Sequence, residues 1–190
     1  MNEQEFVRTQ LADDALAMCQ AVLGAREYCR IGQITEHPGT GKSALTYWLA
    51  QECDAIRVEA WTRISDKDLL RLIVEAANRK GLSVAPRGTG NTLFKRLLPV
   101  LEGRMIIVDE ANQLKWAQLE ILRSLSDLGH CGLVIVGTDI LSQRLAQAST
   151  STYLAQLRQR IGAKRVVMGP IASDDEVAAY CIAPRFGKVS

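Results

Sequence analysis

Residues 35–43 read TEHPGTGKS, and they lie between CRIGQI at residues 29–34 and ALTYWLA at residues 44–50. The first flanking segment has the apolar content of a short buried strand, and the second that of a helix. A strand, a glycine-rich turn and a helix opening on Gly-Lys-Ser are the sequence context of a phosphate-binding loop. We therefore predict that the phosphates of a nucleotide bind at this turn.

The turn contains residue types suited to holding phosphates. Unpaired amides at a helix start point at an anion, and the helix dipole favours negative charge there. Gly39 and Gly41 let the backbone approach the phosphates because they have no Cβ. Lys42 is predicted to reach the terminal phosphates, and the Ser43 hydroxyl to ligate Mg²⁺. The predicted nucleotide-binding residues are His37, Pro38, Gly39, Thr40, Gly41, Lys42, Ser43 and Ala44.

One position departs from the pattern G-x-x-x-x-G-K-[ST], because Glu36 stands where the first glycine is usual. A carboxylate beside the phosphates predicts a lower affinity for ATP unless it points to solvent. The alternative interpretation of the stretch is a glycine-rich turn that only caps a helix. The strand and helix on either side, and a second motif downstream, favour the nucleotide site.

The bulk properties predict one domain, or one domain plus a fragment, in the cytoplasm. The chain has 190 residues, of which 47% are hydrophobic, and no apolar run has the length of a membrane span. The polar, acidic N-terminus is unlike a secretory signal. The five cysteines are scattered singly, which predicts reduced thiols and no thiolate metal site: Cys19, Cys29, Cys53, Cys131 and Cys181.

Along the chain, segments with strand character alternate with segments of helical periodicity. This alternation predicts an α/β fold with a five-stranded parallel sheet, whose ligands bind at the carboxyl ends of the strands. The predicted strands are 29–34, 54–60, 104–110, 132–138 and 164–168. The predicted helices lie within 6–27, ending near Gly24, and at 44–50, 65–81 with Ser65 as its cap, 92–101 with Pro99 disturbing its end, 116–128, 140–148 and 153–160.

A second motif ends the apolar run MIIV with two carboxylates, Asp109 and Glu110. At the end of a buried parallel strand, Asp109 is placed to hold Mg²⁺ together with Ser43 and water. Glu110 is placed to act as a base toward an attacking water. The alternative is that the pair only terminates the strand or caps the next helix. Thr138, at the tip of another apolar strand, either orients the water or γ-phosphate or is a simple turn residue.

Three segments together resemble the Walker A, Walker B and sensor-1 motifs of AAA+ ATPases: PGTGKS at 38–43, IIVDEA at 106–111 and VIVGT at 134–138. Over about residues 5–183, the chain is similar to the DNA-transposition ATPases of that superfamily, the phage Mu and Tn7 types. The narrower resemblance depends on the short N-terminal lead-in, the helical pair between the second and third strands, and LRSL at 122–125.

The resemblance implies a P-loop NTPase three-layer sandwich with residues 1–28 as an N-terminal lead-in and helix, and 29–170 as the nucleotide-binding core. Residues 171–190 would begin a helical lid that is only partly present. It also implies ATP and Mg²⁺ as cofactors, a homo-oligomer (helical filament or ring) on duplex DNA, and a transposase as partner. No membrane partner is expected.

In such assemblies a neighbouring subunit supplies an arginine finger to the γ-phosphate. The resemblance assigns this role to Arg160, with Arg158 in reserve, beside Lys42, Glu110 and Thr138 as catalytic residues. The alternative is that both arginines form ion pairs on a helix surface.

The middle of the chain is the most basic part. Residues 57–104 carry ten basic and five acidic side chains, a net charge of +5. This charge predicts either a nucleic-acid face or an ordinary solvated helix surface. The candidate DNA contacts are Arg63, Lys67, Arg87, Lys95 and Arg96. Trp61, beside Arg63, is interpreted as a core residue.

The leading hypothesis is an ATP-dependent DNA-binding ATPase that oligomerises on duplex DNA and regulates transposition by recruiting or stimulating a transposase. One rival is a helicase loader or replication initiator of the same superfamily. The other rival is a nucleotide-binding switch with negligible hydrolysis, for which Glu36 is the motivating feature. Slow or partner-stimulated hydrolysis is expected.

Overall fold

A computed structural model of the chain describes residues 8–26, 28–36, 42–146 and 152–169. In this part of the chain five strands alternate with seven helices and one 3-10 turn. The strands are β1 Ile31–Glu36, β2 Ile56–Glu59, β3 Met105–Asp109, β4 Gly132–Thr138 and β5 Arg165–Met168. The helices are α1 Gln10–Leu23, α2 Lys42–Glu52, α3 Asp66–Arg79, α4 Gly90–Leu101, α5 Trp116–Leu128, α6 Asp139–Ala146 and α7 Thr152–Ile161, with the 3-10 turn at Ala111–Gln113.

The strands form one parallel sheet in the order β2-β3-β4-β1-β5, so the predicted fold class is confirmed. Parallel pairing places the carboxyl ends of β1, β3 and β4 at one edge of the sheet. The chain passes from β1 across the sheet to β2, which opens a crevice where the strand order reverses. Ligands of open parallel sheets bind in such a crevice, outside the carboxyl ends of the strands.

The sheet is covered on both faces, which explains why β3 and β4 are almost continuously apolar. All five residues of β3 are buried, and their side chains alternate between two apolar clusters. Ile106 and Val108 belong to the cluster that includes α3, α4, α5 and α7. Met105 and Ile107 belong to the cluster with α1 and α2. A strand with two buried faces carries no polar alternation, and the result here is the predicted three-layer sandwich.

Close packing of α1 on β1 depends on the absence of a side chain at Gly32. A Cβ at Gly32 would lie 2.3 Å from Met18 Sδ and 2.9 Å from Val22 Cγ2. Helix α1 begins after Thr9, whose hydroxyl accepts from the amide of Ala12 at 3.3 Å, and it ends at Gly24 as predicted. Helix α1 therefore packs directly against β1.

The predicted cap of α3 is confirmed, since Ser65 Oγ accepts from the amide of Asp68 at 3.1 Å. Helix α4 starts at Gly90, two residues before the predicted start, because Thr89 caps it through the amide of Thr92. Pro99 lies inside α4, which ends two residues later at Leu101. The side-chain caps Ser65 and Thr89 thus account for where α3 and α4 begin.

The interpretation of Trp61 as a core residue is wrong, because 49% of this residue is exposed. It lies in the turn between β2 and α3, just after the carboxyl end of β2. The buried positions of this turn are taken by Ala60 and Ile64 on either side.

The four described cysteines are free thiols. Burial raises the pKa of Cys131 to about 12, so this thiol stays protonated and acts as an apolar core residue. None of the helices in the described ranges is long and apolar enough to cross a membrane. The predicted lid at 171–190 lies outside the described residues.

Candidate functional site

The candidate site lies where β1, β3 and β4 end. Glu36 at the end of β1 is the register partner of Thr138 at the end of β4, and β3 pairs with β4 from Met105 to Val108. Helix α2 begins at Lys42 immediately after the predicted phosphate-binding turn. Residues 37–41, which contain His37, Pro38, Gly39, Thr40 and Gly41, lie outside the described part, as do the side chains of Glu36 and Lys42. Ser43 and Ala44 are exposed on the first turn of α2.

The two predicted motifs are joined directly by Thr46, which lies on the second turn of α2. Thr46 Oγ1 is 3.1 Å from the carbonyl oxygen of Ser43 and 3.0 Å from Asp109 Oδ2. The threonine is fully buried, so these contacts satisfy its hydroxyl. The start of α2, where phosphate binding is predicted, and the acidic end of β3 are therefore held together.

Asp109 is buried to 1% exposure, and its carboxylate is held from several sides. Its Oδ1 accepts from the amide of Glu110 at 2.9 Å, and its Oδ2 accepts from Arg57 Nη2 at 2.7 Å. A buried carboxylate without such partners would be strongly destabilising. Ser43 and Asp109 supply hard oxygen donors, which is the donor chemistry that Mg²⁺ prefers, so the residues present fit this ion.

Sequence reasoning missed Arg57, which it counted only among the basic residues of the middle third. The signal in the sequence was the alternation of β2, in which Arg57 stands between apolar Ile56 and Val58. In the structure Ile56 and Val58 pack into one apolar cluster, and Arg57 faces the other side of the sheet. Strand β2 pairs with β3, with Glu59 opposite Asp109. An arginine two residues before the position opposite a buried aspartate is within reach of its carboxylate.

Glu110 has a backbone conformation that non-glycine residues rarely adopt, with φ 53° and ψ 33°. This left-handed conformation costs an L-residue about 1–2 kcal/mol. It turns the chain sharply after β3, so that Glu110 leaves the strand axis and starts the 3-10 turn. Backbone strain of this kind concentrates at functional sites.

Asn112 connects Glu110 to the end of β4, and sequence reasoning also missed it. Its Nδ2 donates to Glu110 Oε2 at 3.3 Å, and its Oδ1 accepts from the amide of Thr138 at 3.2 Å. The Asn112 side chain fits here because residue 137 is glycine, since a Cβ at this position would lie only 2.8 Å from Asn112 Oδ1. Arg144 holds the same turn by donating to the carbonyl oxygens of Asn112 at 3.2 Å and Leu114 at 2.9 Å.

Thr138 lies at the carboxyl end of β4, as predicted. Within the described ranges, its Oγ1 is the buried side-chain polar atom that has no hydrogen-bond partner. Such an atom is costly in a folded protein, and one at a ligand site is available to a bound polar group. This observation supports a role in the site rather than in the turn alone.

Arg160, the predicted finger, forms an ion pair within its own chain. Its Nη2 lies 2.8 Å from Asp127 Oδ2, and the two side chains are 17% and 8% exposed. Asp127 also pairs with Arg123, so α5 and α7 are joined by this cluster. Arg158, two residues earlier on α7, is exposed. Arg160 thus forms an ion pair, as the alternative interpretation has it, and the finger role stays a prediction.

The candidate DNA contacts are all exposed, but they have different surroundings. Arg63 lies in the turn between β2 and α3, and Lys67 lies on the first turn of α3. Arg96 donates to the carbonyl oxygens of Arg87 at 2.6 Å and Ala85 at 3.3 Å, so it holds the loop before α4. Lys95, on the exposed side of α4, completes the set.

Comparison with known proteins places residues 25–145 in a family model described as "AAA domain". The chain is 33% identical over 118 residues to "Mu-like prophage FluMu DNA transposition protein B" of Haemophilus influenzae, covering 60% of this chain and 41% of that protein. It is 29% identical over 150 residues to "ATP-dependent target DNA activator B" of Escherichia phage Mu, covering 76% and 46%. The chain thus spans less than half the length of these curated relatives.

We predict that replacing Glu110 by glycine leaves the free energy of unfolding unchanged or raises it by up to about 1 kcal/mol. Relief of the left-handed conformation, about 1–2 kcal/mol, is partly offset by the greater entropy of glycine in the unfolded chain and by the lost contact with Asn112. The matched control is His130→Gly, at φ 48° and away from the site. Urea denaturation measures both, and a loss above about 1 kcal/mol for Glu110→Gly alone would contradict strain at this residue.

Proposed function

Because this chain belongs to the AAA domain family, we propose that it is an ATPase that binds ATP with Mg²⁺, oligomerises on duplex DNA and regulates transposition. In this proposal it recruits or stimulates a transposase at the target. The observation that carries the proposal is the junction between α2 and β3, where Thr46 contacts both the Ser43 carbonyl and the buried carboxylate of Asp109. The printed names of the relatives, a DNA transposition protein and an ATP-dependent target DNA activator, support the choice of pathway.

Each residue of the site has a role in the proposed hydrolysis. Lys42 and the turn before it would bind the phosphates, and Ser43 and Asp109 would hold Mg²⁺, which would supply charge neutralisation at the phosphate oxygens. Glu110 orients the attacking water and accepts a proton from it as a general base. Asn112 holds the Glu110 carboxylate by a hydrogen bond from its side-chain amide. Thr138 offers its buried hydroxyl to the water or the γ-phosphate.

We expect Glu110→Gln to lower ATP turnover by about 10²-fold or more while ATP binding is retained, because an amide cannot act as a base. Glu75→Gln is the control, since this exposed glutamate lies on α3 outside the site. A steady-state phosphate-release assay measures turnover, and a fluorescent ATP analogue measures binding. Equal turnover in Glu110→Gln and the parent would show that Glu110 is no base, and negligible turnover in both would favour a nucleotide-binding switch.

We further propose that an arginine of α7, Arg160 or Arg158, acts on the ATP of a neighbouring subunit. For Arg160 this requires release of the 2.8 Å ion pair with Asp127, whereas exposed Arg158 needs no such step. Mixing Arg160→Ala with Glu110→Gln should restore turnover that neither variant has alone, because one subunit retains the base and the other the finger. Asp127→Asn controls for loss of the ion pair and should keep turnover.

The same mixture made with Arg158→Ala distinguishes the two arginines. Restored turnover only with Arg158→Ala assigns the finger to Arg158. If Arg158→Ala and Arg160→Ala both keep parental turnover in the assembled state, neither residue is a finger.

We expect the protein to assemble on duplex DNA only with ATP or a slowly hydrolysed analogue, as seen by electron microscopy and sedimentation. A protein that stays monomeric with both ligands would refute assembly. Co-purification with a transposase, rather than with a replicative helicase, separates the leading proposal from the helicase-loader alternative.

The basic residues make the DNA part of this prediction specific. The double variant Arg63→Ala, Lys67→Ala should reduce the slope of log affinity against log salt by about 2, because each phosphate contact contributes about 0.9. Arg79→Ala, at the other end of α3, is the control. An unchanged slope in the double variant would assign Arg63 and Lys67 to ordinary solvated surface.

A further inference from the structure

Arg57 occupies an unusual place for an arginine, because its guanidinium lies inside the site rather than in solvent. Its side chain is 10% exposed. It donates from Nη2 to Asp109 Oδ2 at 2.7 Å and from Nε to Thr46 Oγ1 at 2.9 Å. Its Nη2 is also 3.3 Å from Glu59 Oε2, and the ring of Tyr47 lies 3.9 Å from the guanidinium carbon.

These contacts fix the guanidinium on three sides. The planar fork of arginine suits this geometry, since two of its nitrogens donate to neighbouring acceptors on α2 and β3 at once. Tyr47, on the turn of α2 that carries Thr46, covers one face of the fork by a cation–π contact. Arg57 thereby orients Thr46, the residue that joins the start of α2 to Asp109.

The carboxylate that Arg57 contacts is the one proposed to hold Mg²⁺. Asp109 is 1% exposed, so it needs a positive partner in the folded protein even when no nucleotide is bound. Arg57 supplies that partner at 2.7 Å. A metal that approaches Asp109 therefore meets a carboxylate whose charge is already neutralised by an arginine of the neighbouring strand.

We propose that Arg57 is a positioning residue that serves as a resident counter-cation of Asp109 and sets the Mg²⁺ requirement of the site. It keeps the carboxylate in place before metal arrives, and it weakens metal binding by sharing the same negative charge. The inference rests on the proposed nucleotide site. A purely structural ion pair would stabilise the fold equally but would leave the Mg²⁺ dependence unchanged.

The first test is thermal unfolding of Arg57→Met without nucleotide, in EDTA, in millimolar Mg²⁺ and in monovalent salt of equal ionic strength. In EDTA the midpoint should fall by about 5 °C or more, because a buried carboxylate loses the guanidinium that contacts it at 2.7 Å. Mg²⁺ should restore part of this loss in the variant, whereas the parent midpoint should hardly respond. Adding Asp109→Asn to Arg57→Met should abolish the Mg²⁺ response.

Arg71→Met is the matched control. Arg71 forms an i,i+3 ion pair with Asp68 at 3.0 Å, and both side chains are 43% exposed. The same chemical change at this solvated pair should give no Mg²⁺-specific shift, because exposed ion pairs contribute little.

The second test measures the Mg²⁺ concentration that half-saturates binding of a fluorescent ATP analogue. Removal of a cation beside the metal ligand should lower this concentration by about tenfold in Arg57→Met. Arg57→Lys is included in case Arg57→Met does not fold. Lysine keeps the charge but lacks the fork that reaches both Thr46 and Asp109, so its half-saturation should lie between those of Arg57→Met and the parent.

Three outcomes are distinguishable. An ordered series from parent through Arg57→Lys to Arg57→Met supports the inference. Coincident half-saturation points, with equal Mg²⁺ responses in thermal unfolding, overturn it and leave Arg57 a structural residue. If the parent binds no ATP analogue at any Mg²⁺ concentration, the proposed function fails, and the Mg²⁺ response of Arg57→Met without nucleotide still decides the role of Arg57.

Discussion

The site depends on one constraint, a carboxylate buried at the end of a strand that is itself buried on both faces. Asp109 is 1% exposed, so its charge has to be met by donors from the surrounding elements. The backbone of Glu110, the hydroxyl of Thr46 on α2 and the guanidinium of Arg57 on β2 meet it. Because these donors come from different parts of the chain, the carboxylate joins α2, the helix proposed to bind phosphate, to the centre of the sheet.

A second constraint shapes the chain immediately after this carboxylate. The left-handed conformation of Glu110 redirects the backbone into the 3-10 turn, and the side-chain amide of Asn112 then occupies space that a side chain at residue 137 would need. The amide contacts both the Glu110 carboxylate and the backbone of Thr138. The proposed base and the end of β4 therefore share one polar connection, and Arg144 supports it from α6.

Much of the fold follows from local patterns. The continuous apolar runs of β3 and β4 indicate strands with two buried faces, and Ser65 caps α3 as its spacing with Asp68 predicts. The alternation of strands and helices then leaves a parallel sheet as the solution. Trp61 was misassigned because large apolar residues are usually buried, whereas this one is exposed in the turn after β2.

For the site, the residue types and spacing of the glycine-rich turn and of Asp109 and Glu110 are enough to indicate nucleotide chemistry, since both motifs act through residues next to each other in the chain. The partners of those residues depend on the tertiary structure. These contacts join residues that are far apart in the sequence. Arg57 and Asp109 are 52 residues apart, Asn112 and Thr138 are 26 apart, and Arg160 and Asp127 are 33 apart. Strand order and packing determine such contacts, so the sequence around one residue does not indicate which distant residue it will contact.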